Sequence, residues 1–157
     1  MAAEEFDVTL LRDCLLRLSG RDLLDGLDTS DGASHALQRA PFALLAHDGA
    51  DDPVFVYGND TALALFEMTL EELRATPSRE SAEPDSQAAR AAMLAEVKHR
   101  GYLEDYRGVR ISRTGRRFLI HDALVWNLTT AEGTPIGQAA CIPYWRFLVD
   151  EGPAQEG

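Results

Sequence analysis

The chain has 157 residues, enough for one domain with a substantial core and too few for two of ordinary size. Its 26 acidic residues outnumber 15 basic ones and give a net charge of −11, a field that repels phosphate and argues against nucleic acids and anionic membranes as partners. Only Cys14 and Cys141 occur, outside any CxxC pair. No apolar run approaches the roughly 20 residues of a membrane span, and the start MAAEEFDVTL is acidic where a secretory leader is basic. The expectation is a cytoplasmic protein whose two thiols are small buried hydrophobes.

Phe6, Leu10, Cys14 and Leu18 recur every four residues, with Leu11 and Leu15 beside them, so residues 4–18 read as an amphipathic helix ended by Gly20. Its stripe must cover either its own domain or a second subunit. Residues 34–39 allow a short helix before Pro41. FALLAHDG (42–49) and PVFVYGND (53–60) are apolar or alternating and are joined by a short turn-forming connection, the pattern of a β-hairpin. Asp60 can cap the helix TALALFEM and Thr69 the helix LEELRA. TPSRESAEPD (76–85), with two prolines, reads as irregular. Ser86 can cap a longer helix, QAARAAMLAEVKH, that stops at Gly101. Three strand-like segments follow, 102–112, 117–129 and 136–145, separated by turn residues. The polar tail EGPAQEG reads as disordered.

Two strands, a helical belt and three strands is the order of a PAS domain. The segments HDGADDPVFVYGNDTALALFE, PSRESAEP, GYLEDYRGVRISRTGRRFLIHDALVWNL and GQAACIPYW together resemble the MEKHLA domain, a PAS-related module, over roughly residues 35–145. The resemblance implies an α+β fold: a PAS-like five-stranded antiparallel sheet with a helical belt on one face, a cavity between them, and a sensory or regulatory role. The N-terminal amphipathic helix precedes it. The domain plan is a helix and connection over 1–34, the PAS-like unit over 35–146 and a tail over 147–157.

YRGVRISRTGRRFLI (106–120) carries five arginines in this acidic chain. Pairing Ser112 with Arg117 in a four-residue hairpin makes opposed residue numbers sum to 229. Ile111 then faces Phe118, Val109 faces Ile120, and Arg107 faces Asp122 on the same apolar side, which Trp126 and Leu128 continue. A directly opposed Arg107–Asp122 pair on a buried face is either a structural ion pair or a ligand clamp. Arg110 and Arg117 fall on the other side, and Arg113 and Arg116 in the turn. That dispersal argues against a nucleic-acid stripe.

Other candidates are Asn59, a capping residue at the cavity rim; Arg79, which reaches either the cavity or an acid of the sheet; and Gln138, on the last strand. Flavin-binding PAS relatives place a glutamine on that strand against the ring. The cysteine that photoactive flavin domains carry in the belt is missing from PSRESAEP, which argues against adduct photochemistry. His99, among basic residues at a helix end, is poorly placed for haem, and no metal-ligand spacing occurs. His121 and Asp122 are consecutive on a strand, point to opposite faces and cannot form a dyad. The candidate ligand residues are therefore Asn59, Arg79, Arg107, Asp122, Trp126 and Gln138, with no catalytic or metal residue.

The expected function is sensing: a module that binds a small molecule or a regulatory protein without chemistry of its own and signals by contact. Homodimerisation through the N-terminal helix or the sheet face is a second expectation. The alternatives are a dimerisation module with a side-chain-filled cavity, and a small isomerase-like enzyme using Asp122 as a base in an apolar pocket.

Overall fold

The structure, a computed structural model, describes residues 7–149. The expected helix start at residues 4–6 and the expected disorder of residues 151–157 lie outside them. The chain order is α1 (Thr9–Ser19), α2 (Ala33–Gln38), β1 (Ala43–Asp48), β2 (Phe55–Gly58), α3 (Asp60–Phe66), α4 (Leu70–Arg74), a 3-10 turn (Ser78–Ser81), α5 (Pro84–Arg100), β3 (Tyr102–Ile111), β4 (Arg117–Thr129), β5 (Pro135–Ile142) and β6 (Tyr144–Phe147). The strands form one antiparallel sheet in the order β2-β1-β5-β4-β3, and β6 also pairs with β4. The expected five rows are present. The last is interrupted at Pro143, which has no N–H to give a ladder, so β5 and β6 lie end to end along β4.

Both faces of the sheet are covered, which is why β1 is buried along most of its length. On one face α1 lays Leu11, Cys14 and Leu15 against Leu44, Ala46, Trp126, Leu128, Ala139 and Cys141. The Trp126 indole N–H donates to the Leu11 carbonyl at 3.0 Å, so the ring's one polar atom is satisfied inside this apolar layer. Arg12 then grips Asp22 through two nitrogens, 2.9 and 2.8 Å, tying α1 to the chain that leaves it. The helix stripe is therefore consumed within the chain, and a dimer built on it would require α1 to leave the sheet. Leu18, expected in the stripe, is exposed.

On the inner face the belt helices α3 and α4 bring Ala62, Leu65, Phe66 and Leu73 onto Ala43, Leu45, Phe118, Ile120 and Ile142. Thr69 caps α4 in a reciprocal box with Glu72, as its sequence predicts. The cap of α3 is Asn59 and not Asp60, which becomes the first helical residue. The long helix begins at Pro84, earlier than Ser86, because proline is well suited to a first turn whose N–H would be unpaired anyway. Inside the irregular segment a short 3-10 turn forms, closed by the Ser81 hydroxyl donating to the Ser78 carbonyl.

The β3–β4 hairpin departs from the constant register. Arg110 pairs with Phe118 and Gly108 with Ile120, a sum of 228; Tyr106 then pairs with Ala123, and Leu103 with Val125. Two compensating bulges cause this, one around Asp105 and one around Asp122, both with left-handed φ (59° and 57°). Aspartate tolerates that conformation better than most residues. The bulge at Asp122 swaps the faces of the remaining strand. Phe118 and Ile120 face the belt, but Leu124, Trp126 and Leu128 face α1.

The packing of α1 makes a graded prediction. Leu11→Ala, at 0% exposure, should lower unfolding free energy by about 2–5 kcal/mol in urea titrations, whereas Leu18→Ala, at 40%, should stay within about 0.5 kcal/mol of the parent.

Candidate functional site

Between the inner face of the sheet and α5 lies a cavity of about 60 Å³. Its wall is mostly apolar, with Leu45, Phe55, Phe66, Met93, Ile120 and Val125. The polar groups that reach it are few: Arg90 from α5, Arg110 and Tyr106 from β3, His47 from β1, Gln138 from β5, and Ser78 and Ser81 from the 3-10 turn.

Each of these is placed by local structure. Arg90 lies on the same face of α5 as Met93, Leu94 and Val97, spaced three, four and seven residues on. It is 7% exposed and donates to the Ser78 hydroxyl. Tyr106, Gly108 and Arg110 alternate onto the inner face. Arg110 folds back over Gly108 to donate to the Tyr106 hydroxyl at 3.0 Å and to the Val109 carbonyl at 2.8 Å. A Cβ at Gly108 would stand 2.7 Å from that hydroxyl, so the contact needs a glycine there. His47 is opposite Gln138, and Gln138 is opposite Asn127, in one row across three strands. Gln138 donates to the Leu94 carbonyl and to Asn127, and Asn127 donates to the Val97 and Lys98 carbonyls. Those bonds satisfy carbonyls near the end of α5 and hold the helix on the sheet. Beside His47, β5 passes so close that a Cβ at Gly137 would lie 2.1 Å from the His47 carbonyl oxygen.

The electrostatics are unusual. Burial first, and then the neighbouring positive charge of Arg110, pull the Arg90 pKa down to about 10. The His47 imidazole is also pushed below its ordinary value, mainly by burial, with Arg90 adding to the effect. Its Nδ1 faces the Asp48 carbonyl at 2.9 Å and so carries the hydrogen; Nε2 is buried without a partner.

Of the six residues nominated from sequence, Gln138 lines the cavity. Trp126 is on the opposite face of the sheet, carried there by the bulge. Asn59 is fully buried but spends its whole side chain on the backbone: it accepts from Leu44 and Ala62 and donates to the carbonyls of Leu37 and Phe42. Arg79 is exposed and pairs with Asp52 at 3.1 Å. Arg107 and Asp122 do not form the expected buried pair. Both are exposed, because the bulge that opens at Asp122 turns its carboxylate outward, 3.6 Å from the ring of His121. An Asp122 base in an apolar pocket is thereby excluded. The arginine turned inward is Arg110, and Arg113, Arg116 and Arg117 engage Glu72, the ring of Phe147 and Glu83. Sequence reasoning missed Arg90 and His47. Their signals were a charge on the apolar stripe of α5 and an imidazole in phase with Ala43 and Leu45.

The MEKHLA domain profile matches residues 7–147. The chain belongs to the MEKHLA domain family. Among solved structures it is similar to a PAS domain from Colwellia psychrerythraea, at 12% identity and a TM-score of 0.61, covering 73% of this chain and 92% of that one. It is also similar to a light-oxygen-voltage domain studied with a flavin analogue (20% identity, TM-score 0.54, 74% and 84% covered). A third is a PAS domain from a two-component sensor histidine kinase (17% identity, TM-score 0.54, 73% and 91% covered). No curated protein matches the sequence. These likenesses establish the PAS-like fold of this MEKHLA domain, and no helix among its described residues is long and apolar enough to cross a membrane.

The depressed imidazole gives a pH dependence. Unfolded, His47 takes a proton near its ordinary value of 6.5; folded, it does so only at lower pH. The unfolded state therefore binds more protons below that value, and stability falls with acidification. His47→Gln should flatten the stability–pH curve between about pH 7 and pH 5, by up to about 1.4 kcal/mol per pH unit, measured by denaturant titration at each pH. An unchanged slope would show that the ring titrates normally in the folded domain.

Proposed function

We propose that this MEKHLA domain is a sensory module that reads occupancy of the cavity beneath α5 by a small molecule and passes the result to another protein by contact. The observation that carries the reading is the cavity itself: a small apolar chamber on which a few buried polar groups converge, the usual make-up of a small-molecule site. The PAS-like fold, shared with domains of sensor proteins, agrees with it.

Flavin adduct photochemistry is a poor fit to these residues. The belt from Pro77 to Pro84 has no cysteine, and Cys14 and Cys141 belong to the layer on the far face of the sheet. Burial pushes the Cys141 thiol up to about 12, which leaves it unreactive at neutral pH. The chamber would have to expand to admit a fused tricyclic ring. Haem fits no better, because His99 is an exposed residue in the last turn of α5, outside the cavity lining. Asp122, the base an isomerase-like reading needs, is exposed and lies outside the cavity lining.

Native mass spectrometry of freshly purified protein tests the reading. The expected spectrum shows the chain plus one small molecule, with no visible absorbance band in the same preparation. A bare monomer in every preparation would sink the sensor reading, and a bare dimer would favour an assembly module instead.

A further inference from the structure

The charge arrangement of the chain is inverted relative to what solvation favours. Arg12, Arg21, Arg79, Arg100, Arg113 and Arg117, all at least partly solvated, each have a carboxylate within 4.0 Å. Arg90 and Arg110, 7% and 6% exposed, have none among the described residues. Their partners are neutral: the Ser78 hydroxyl, the Tyr106 hydroxyl and a backbone carbonyl. Two guanidiniums thus share one cavity, repelling each other, in a chain with eleven more negative charges than positive ones. Buried cations normally carry a close counter-charge; here no described carboxylate lies within 4.0 Å of either guanidinium, and Asp52 acts on Arg90 only from farther away. The orphaned Nε2 of His47 is a further polar atom in the same wall without a protein partner.

Resting on the sensor reading, we propose that the ligand of the cavity is a small organic carboxylate. Its anionic head sits between Arg90 and Arg110, whose planar forks suit a carboxylate held by paired hydrogen bonds. Its short apolar body lies against Phe55, Phe66, Met93 and Ile120. The apolar remainder of the wall selects this class over an inorganic oxyanion, which would leave those surfaces facing bare charge or water. The ligand supplies the missing counter-charge, so binding stabilises the folded domain in proportion to occupancy.

The test is thermal unfolding of the full chain with millimolar sodium acetate, butyrate, hexanoate or benzoate. Controls are sodium chloride at equal ionic strength, the matching neutral amides, and sodium phosphate. At least one carboxylate should raise Tm by roughly 4 °C or more over chloride. The amides should not, and Arg90→Met and Arg110→Met should each abolish the response. Both variants should melt at or above the parent without ligand, since each removes an uncompensated buried charge. Equal shifts from amides would overturn the anionic assignment while leaving a small-molecule sensor standing. A shift from phosphate alone would replace the carboxylate by an oxyanion and overturn the proposal. No shift from any carboxylate, or loss of the fold in either arginine variant, would overturn it as well, and a bare native mass alongside would remove the sensor reading too.

Discussion

The architecture turns on one buried amide. Asn59 stands where β2 ends and the belt begins, at 0% exposure, and its side chain bonds four backbone groups from three places: Leu37 in α2, Phe42 and Leu44 at the start of β1, and Ala62 in α3. A carboxylate could accept these bonds but not donate them, and a smaller side chain would leave buried donors and acceptors unpaired. Asn59 thereby sets the angle at which the chain leaves the sheet and doubles back across its inner face. Every group in the cavity depends on that placement, because α3 and α4 fill one half of the inner face and confine the chamber to the other half, under α5.

Within that frame, rigidity and charge are divided between the two faces. The outer layer is apolar and closed: α1, Trp126 and both cysteines pack there, with the Trp126 indole N–H satisfied by the Leu11 carbonyl. The inner layer holds a row of amides, Gln138 and Asn127, that secures α5, and next to them a pair of cations with no described carboxylate within 4.0 Å. A fold that needed this region only for stability would gain from apolar residues at positions 90 and 110. The presence of two arginines there is hard to reconcile with packing alone and fits a site whose last component comes from outside.

Much of this was legible in the sequence. The strand–belt–strand order, the Thr69–Glu72 capping box, the hairpins and the α1 stripe all arise from local periodicity and turn chemistry, which tertiary contacts here reinforce. The site was not legible to the same degree. A constant register placed Arg107 inward opposite Asp122, but a strand face alternates only while the ladder is regular, and one extra residue reverses it. The left-handed aspartates that make the bulges carry no sequence mark beyond being aspartates. Arg90 was hidden in an alanine-rich helix of weak amphipathicity, and His47 by its place at the end of an apolar run, where HDG reads as a turn.

The two bulges also explain how one strand can serve both layers. Before Asp122, β4 gives Phe118 and Ile120 to the belt; after it, Trp126 and Leu128 go to α1 and Ala123 and Val125 to the cavity. The cavity wall therefore belongs to the same strand that anchors the outer helix. On its other side the cavity is walled by the buried Ser78. That residue accepts from Arg90, its N–H donates to the Pro53 carbonyl, and the adjoining Pro77 bridges Val54 in the β1–β2 hairpin. Arg79, next along, grips Asp52 at the hairpin tip. A guanidinium that turned away from Ser78 toward an anion would remove a bond from this segment, and the nearest exposed element to feel the change is the β1–β2 hairpin, on the edge of the sheet.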